Sequence, residues 1–193
     1  MRILGIDPGS VATGYGVVER RGAVAVHIAH GTLRPPRSAA LPLRLAFLHA
    51  EVARLVAMQR PDAVAVEQVF AGRSPLSALV LGQARGAVLA ALATAGVPIR
   101  EIPPQHVKLA VTGTGAAEKS QVQAMVRRLL ALDATPQRDA ADALAAALCI
   151  ANEGPLAHLQ SRLGRVGARP SGRARNREDA VVPAPNLVVR RIR

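Results

Sequence analysis

Four carboxylates are the residues of this sequence best suited to chemistry, and they fall in three separate segments. Asp7 follows the apolar run "RILGI", Glu67 interrupts the apolar run "PDAVAVEQVF", and Asp139 and Asp142 lie three residues apart in "RDAADALAAAL". A carboxylate in a buried element is costly unless it is paired or bound to a cation. If the four converge, two unit charges ~4 Å apart repel by about 4 kcal/mol at an effective dielectric near 20. The sequence therefore predicts that cations accompany them.

The chemistry of the donor atoms indicates which cations these are. Carboxylate oxygens with no His or Cys at ligand spacing favour Mg²⁺, with Mn²⁺ as a substitute. Two such ions ~3.5–4 Å apart can activate a water and stabilise the leaving oxygen of a phosphodiester. We therefore predict a two-metal site in which the four carboxylates are both the metal ligands and the catalytic residues.

The Asp139–Asp142 pair also has a local interpretation. A spacing of three puts both residues on one side of a helix, and it fits a capping arrangement with Asp139 as the N-cap residue. However, Thr135 and Pro136 predict an earlier start, with Thr135 as the cap and Pro136 at the first helical position. From Ala140 to Ala151 Asp142 is the only charge in an apolar segment, which is typical of a buried helix.

The elements that must position these residues change type along the chain. Three strands are predicted first, with a turn at Arg21–Gly22, and they are followed by a helix, a strand, a helix, a strand and further helices. Consecutive strands favour an antiparallel meander, and strands that alternate with helices add parallel neighbours. The predicted fold class is α/β, a mixed five-stranded sheet with helices on both faces. If the first and fourth strands are adjacent and parallel, Asp7 and Glu67 meet at one edge of the sheet.

Composition divides the 193 residues into a domain at 1–163 and a basic tail at 164–193. The tail carries eight Arg against Glu178 and Asp179 and lacks apolar periodicity, so we expect it to be disordered. It supplies half of the net charge of +12, and the domain supplies the other half. A basic domain favours a nucleic-acid partner, although a general bias toward Arg would give the same charge. Lys108 and Lys119 are the two lysines among 25 basic residues.

Three further features bear on the compartment. The single Cys149 excludes an intramolecular disulfide and fits a reducing cytosol. The opening "MRILGIDPGS" becomes polar too quickly for a signal peptide, and no uncharged apolar run reaches 18 residues, so we expect no membrane span. The prediction is a cytoplasmic protein.

Five segments, in order, resemble the RuvC family of bacterial Holliday junction resolvases: "ILGIDPGSVATGYGVV", "VEQVF", "LGQARG", "AEKSQVQAMVRRLL" and "DAADALAAAL". The resemblance runs from Arg2 to Ala151. It implies an RNase H-like fold and a homodimer that makes paired symmetric nicks in a four-way DNA junction, in homologous recombination and DNA repair. It places the acidic metal ligands of the family on the same four carboxylates, and it implies the RuvA–RuvB branch-migration complex as a partner.

The resemblance also implies DNA-binding residues. Phe70 would pack against unpaired bases near the junction centre, where an aromatic ring can stack on a base. Lys108 and Lys119 match basic positions near the active site of the family.

The helix at 75–95 is almost wholly apolar, and its two glycines four residues apart would allow close approach to a second copy, which predicts a two-fold dimer. Burial of that helix under neighbouring helices of the same chain is the alternative.

Three rival functions stay open on the sequence. "GIDPGS" also resembles the phosphate loop of actin-like ATPases and sugar kinases, but those need a second domain and a second loop. An RNase H-like nuclease that acts on RNA–DNA hybrids or structured RNA would carry the same acids, because the chemistry is shared. The third is a non-catalytic junction-binding protein, which the complete set of four acids disfavours.

Overall fold

The computed structural model describes residues 1–68 and 74–153 of the chain. These residues form five strands and five helices, in the order β1 (Arg2–Asp7), β2 (Thr13–Arg21), β3 (Val24–Leu33), α1 (Leu41–Gln59), β4 (Ala63–Glu67), α2 (Pro75–Thr94), β5 (Ile99–Ile102), α3 (Pro104–Thr112), α4 (Lys119–Leu129) and α5 (Arg138–Ala151). The predicted sequence of elements is confirmed.

The five strands form one mixed sheet in the order β3-β2-β1-β4-β5. The first three strands make an antiparallel meander, and β4 and β5 add parallel neighbours on the other side of β1. The hairpin between β2 and β3 turns at Gly22, whose φ of 61° is a left-handed conformation that glycine adopts at little cost. The first and fourth strands are adjacent and parallel, which is the condition under which Asp7 and Glu67 are expected to meet.

Helices cover both faces of the sheet because alternate residues of its central strands point to opposite sides. On one face, Leu4 and Ile6 of β1 belong to the core formed with α1 and α2. On the other, Ile3 belongs to the core formed with α3, α4 and α5. This layering is the one expected for a sheet with parallel crossovers.

Helix α5 is buried along most of its length and lies unusually close to the sheet. Ten of its 14 residues are buried, and most of them are alanines. On the sheet side, a methyl group added to Gly5 would overlap the carbonyl oxygen of Ala143, and one on Gly14 would overlap that of Asp139. One on Gly16 would come within 2.6 Å of the Leu144 side chain. The helix therefore rests directly on the main chain of β1 and β2.

The start of α5 corrects the prediction made from Thr135 and Pro136. The helix begins at Arg138, with Gln137 as the N-cap residue and no side-chain cap hydrogen bond. The Gln137 Oε1 atom accepts hydrogen bonds from Thr32 (3.2 Å) and Arg34 (3.0 Å), so the chain is tied to the end of β3 before the helix begins. Neither Asp139 nor Asp142 caps the helix, so the capping alternative is also wrong. Both carboxylates are left free for other partners.

Helix α2 is long and apolar enough to cross a membrane by length and composition alone, and the expectation of no membrane span stays a prediction. Only 22% of its most apolar stretch is buried, yet the helix also packs on the sheet and α1. Arg85 in its middle donates a hydrogen bond to the carbonyl oxygen of Glu67 (2.6 Å) and pairs with Glu101. These contacts tie α2 to the polar edge of β4 and β5.

Candidate active site

Asp7 and Glu67 end two neighbouring parallel strands. Ile6 of β1 lies opposite Val66 of β4, so the residue that follows each of them stands at the same edge of the sheet. Both carboxylates are half-buried. The convergence expected for adjacent, parallel first and fourth strands is present in the structure.

Helix α5 brings Asp142 to the same edge. Asp7, Glu67 and Asp142 line one cleft of about 320 Å³, and Lys108 of α3 and Lys119 of α4 line it with them. Its remaining lining residues are Gln68, Pro104, Val107 and Val122. Asp139 is one turn earlier on α5 and is not part of the cleft wall, although its charge raises the pKa of both Asp7 and Asp142.

The electrostatics of the cleft are those of crowded carboxylates that lack sufficient counter-charge. Burial, and then the charge of Asp142, raises the pKa of Asp7 to about 7. Burial, and then the charge of Asp7, raises the pKa of Glu67 to about 8. Burial also raises the pKa of Asp142, although Lys119 opposes that shift. Near neutral pH the site therefore holds either protons or cations.

Lys119 is the cation nearest to Asp142. It is the first residue of α4, and its Nζ atom lies 3.3 Å from Asp142 Oδ2. Burial acts to lower the pKa of Lys119, but the charges of Asp142, Asp7 and Glu67 outweigh it and the pKa is raised. Lys108 lowers the pKa of Glu67. The two lysines are thus positioned to neutralise part of the acidic charge.

The donor atoms of the cleft fit a hard divalent ion. Three carboxylates share the space with neither His nor Cys, and oxygen donors of this kind suit Mg²⁺ or Mn²⁺. Within residues 1–68 and 74–153, no three His, Cys, Asp or Glu side chains already lie at ligand spacing. A bound ion would have to draw the carboxylates together, and the raised pKa values show that they need such compensation.

Two supports of the site were not predicted from the sequence. Arg85 binds the carbonyl oxygen of Glu67 and so fixes the end of β4; an arginine in an otherwise apolar helix is the signal that could have identified it. Thr13 is fully buried, and its hydroxyl donates to the carbonyl oxygen of Gly9 (3.1 Å) and accepts from the Gly9 N–H (3.3 Å). That pair of bonds closes the loop that follows Asp7.

Two predicted features lie outside the described residues. Phe70 lies between β4 and α2, among residues that the structure does not describe. The tail at 164–193 also lies outside the described residues. The boundary at residue 163 falls in the same part of the chain. The DNA contact of Phe70 and the domain limits therefore stay predictions.

The sheet is mixed, with the strand order β3-β2-β1-β4-β5. Acids lie at the ends of β1 and β4 and on the helix packed across them. These features define an RNase H-like nuclease. The fold is shared with the yeast mitochondrial Holliday junction resolvase Ydc2, at a TM-score of 0.60 and 14% identity over 85% of this chain and 83% of that one. Thermus thermophilus RuvC, solved in complex with Holliday junction substrate, is 36% identical with a TM-score of 0.72, over 85% of this chain and 97% of that one.

The sequence comparisons give the family. The model for crossover junction endodeoxyribonuclease RuvC matches residues 3–150. The curated protein of that description from Alkalilimnicola ehrlichii is 53% identical over 167 residues, which cover 86% of this chain and 99% of the relative. The chain belongs to the RuvC family of crossover junction endodeoxyribonucleases. It is accordingly a metal-dependent endonuclease that resolves Holliday junctions in DNA recombination and repair.

Proposed function

We propose that the chain makes paired symmetric nicks in a four-way DNA junction, and that Asp7, Glu67, Asp139 and Asp142 hold the Mg²⁺ ions for this hydrolysis. The observation that carries the proposal is the convergence of Asp7, Glu67 and Asp142 in one cleft of a basic protein. Two ions are expected, and Mn²⁺ substitutes for Mg²⁺, because the donors are all hard oxygens.

The roles of the residues follow from their positions. When bound, the ions supply an activated water and stabilise the leaving oxygen of the phosphodiester. Asp7 and Glu67 would hold the ions in their ionised forms, since a carboxylate must be ionised to act as a ligand. Lys119 then exchanges part of its contact with Asp142 for a phosphate oxygen, and Lys108 binds a second phosphate at the cleft wall. The lysines thereby orient the strand to be cut.

The outer face of α2 supports a homodimer. Leu76 and Leu79 are 70% and 60% exposed, and there is open space around the Cα atoms of Gly82 and Gly86. A second copy that packs on this face would cover the apolar side chains and approach closely at the glycines. A two-fold dimer of this kind presents one cleft to each of two symmetric strands of the junction.

Further partners follow from the family and from charge. Phe70, three residues beyond Glu67, stacks on an unpaired base near the junction centre. The basic tail adds nonspecific, salt-sensitive affinity for DNA. The RuvA–RuvB branch-migration complex delivers the junction, and the protein works in the bacterial cytoplasm, where the chromosome is.

One gel experiment tests the substrate. End-labelled four-way junction, linear duplex of the same sequence and RNA–DNA hybrid are each incubated with the protein, with and without Mg²⁺. We expect symmetric nicks in the junction that require Mg²⁺. Equal cleavage of linear duplex would contradict the junction specificity, and preferential cleavage of the hybrid would favour the alternative nuclease.

A single substitution tests the chemistry. Asp142→Asn keeps the size of the side chain and removes its charge, so we expect junction binding to be retained and nicking to be lost. The control is Glu51→Gln, an acid of α1 that pairs with Arg54 away from the cleft. Undiminished nicking by Asp142→Asn would remove this residue from the site.

A further inference from the structure

Two histidines of β3 face each other outside the acidic cleft. The Nε2 atom of His27 lies 2.8 Å from the Nδ1 atom of His30, and the ring centroids are 4.9 Å apart. One nitrogen donates the hydrogen and the other accepts it, so the rings share one proton between them. Burial, and then the neighbouring His30, lowers the pKa of His27. This favours a neutral His27 ring, the form in which imidazole binds metal ions.

A β-bulge puts the two rings on one side of the strand. Residues three apart in a regular strand point to opposite faces. In β3, however, Val17 pairs with Ala29 and Val18 pairs with His27, which leaves Ile28 as an extra residue. The additional residue reverses the alternation and turns His27 toward His30. The pair is thus a product of the local irregularity of an edge strand.

An acid completes the surroundings of the pair. A cleft of about 430 Å³ is lined by Val26 and the two histidines on one side and by residues 130–135, between α4 and α5, on the other. Asp133 is the acidic residue among them. Arg127 donates hydrogen bonds to the carbonyl oxygens of Leu132 (3.3 Å) and Asp133 (3.2 Å), which hold this segment in place.

We propose that His27, His30 and Asp133 form a binding site for one borderline divalent ion of the Zn²⁺ class. Two imidazole nitrogens and one carboxylate suit Zn²⁺, Ni²⁺ or Cu²⁺, whereas Mg²⁺ prefers oxygen ligands alone. The two metal sites of the protein would therefore select different ions. Waters complete the coordination, since the cleft is open to solvent.

For the two rings, metal binding requires only a small change from the observed geometry. With Zn–N bonds of about 2.0–2.1 Å and tetrahedral angles, the two nitrogens stand roughly 3.3 Å apart, against the 2.8 Å that separates them now. The donor ring moves its proton to its other nitrogen, which exchanges with water, so that both facing lone pairs point at the ion. Asp133 is exposed, and its carboxylate must move toward the rings, because no three such side chains of the described residues already lie at ligand spacing.

The position of the site gives it a consequence for the fold. The ion would join the edge strand β3 to the segment that leads into α5, the helix that carries Asp139 and Asp142. The nearby bonds from Thr32 and Arg34 to Gln137 already make the same connection. A bound ion would add a second link between β3 and the segment that leads into α5, and it would not contact the acidic cleft.

A titration tests the site. Chelator-treated full-length protein, in millimolar Mg²⁺ to occupy the acidic cleft, is titrated with ZnCl₂ in a calorimeter. We expect one Zn²⁺ per chain, and we expect His27→Gln and His30→Gln each to weaken binding by about tenfold or more. Asp133→Asn should weaken it as well. His49→Gln, an exposed histidine of α1, is the matched control and should bind as the wild type does.

A second measurement uses the unmodified protein. Zn²⁺ should protect His27 and His30 from carbethoxylation by diethyl pyrocarbonate and leave His49 reactive, and Mg²⁺ alone should protect none of them. Absence of a bound Zn²⁺, equal binding by the two histidine variants and the control, or failure of Zn²⁺ to protect the pair would each overturn the proposal. None of these outcomes depends on nuclease activity.

Discussion

The α-carbon of Gly14 lies against the main chain of Asp139, so closely that a methyl group on Gly14 would overlap the Asp139 carbonyl oxygen. This contact joins the beginning of β2 to the first turn of α5. The neighbouring contact of Gly5 with Ala143 has the same character. The distance of both α5 carboxylates from Asp7 therefore depends on the lack of a side chain at Gly5 and Gly14.

Gly14→Ala tests this dependence. The new methyl group would push the first turn of α5 away from the sheet, which we expect to cost about 1–3 kcal/mol of stability and to lower the nicking rate by more than stability alone explains. Thermal unfolding and single-turnover nicking of the junction measure the two effects. Gly115→Ala is the control, because its nearest contact would be an ordinary 3.6 Å. Normal nicking by Gly14→Ala would mean that the helix position is not critical.

The stability of the metal-free protein should fall as pH rises. The pKa values of Asp7 and Glu67 are raised to about 7 and about 8, above their values in the unfolded chain. Each carboxyl holds its proton more tightly when folded. Its contribution to stability is therefore complete below the unfolded pKa and is lost as pH rises through the folded pKa.

We accordingly expect the unfolding temperature in chelator to drop by several degrees between about pH 5 and about pH 9. Near pH 9, millimolar Mg²⁺ should restore most of the lost unfolding temperature, because the ion replaces the lost protons. In Asp7→Asn the drop should be smaller. A metal-free protein that became more stable over this range would show that the crowded carboxylates do not dominate its pH dependence.

Lys119→Gln should impair nicking more than DNA binding. Its ammonium group lies 3.3 Å from Asp142, so its loss raises the pKa of Asp142 further and delays ionisation of that ligand. We expect a lower maximal rate and a pH–rate profile displaced to higher pH. Arg128→Gln makes the same change of charge on an exposed residue of α4 and should leave the profile unchanged; identical profiles for the two variants would exclude a specific role for Lys119.

Leu79→Arg should separate the dimer. Leu79 is 60% exposed on the outer face of α2, and a charge buried between two copies lacks a partner. We expect sedimentation to show monomers and junction nicking to become uncoupled, with one strand cut at a time. Val24→Arg, at the opposite edge of the sheet and 62% exposed, is the control. A dimeric Leu79→Arg protein would place the interface elsewhere.

The sequence predicts those parts of the fold that follow from strict patterns. The alternation of strands and helices predicts a mixed sheet, and once β1 and β4 are parallel neighbours in it, Asp7 and Glu67 meet at one edge. The start of α5 was predicted wrongly, because the tertiary bonds of Gln137 to Thr32 and Arg34 outweigh the local preference of Thr135 and Pro136. These bonds join residues more than 100 positions apart, which no local pattern contains.

Side-chain direction at an irregularity is equally hard to predict. Strict alternation would put His27 and His30 on opposite faces of β3, and only the pairing of β2 with β3 shows that Ile28 is an extra residue. The link between Arg85 and Glu67 is non-local as well. An arginine within an apolar helix indicates a polar partner but does not identify it.

The contact of α5 with the sheet also bears on how constant the geometry of the carboxylates is. Packing through long side chains leaves a range of rotamers, and each rotamer sets a slightly different spacing between the layers. At Gly5 and Gly14 the α5 contacts are main-chain atoms, which have no such alternatives, so the spacing at these two points is a property of covalent geometry. Gly5 and Gly14 thus fix the separation between the layers at these points, and the two aspartates of α5 take their positions from the main chain of the helix.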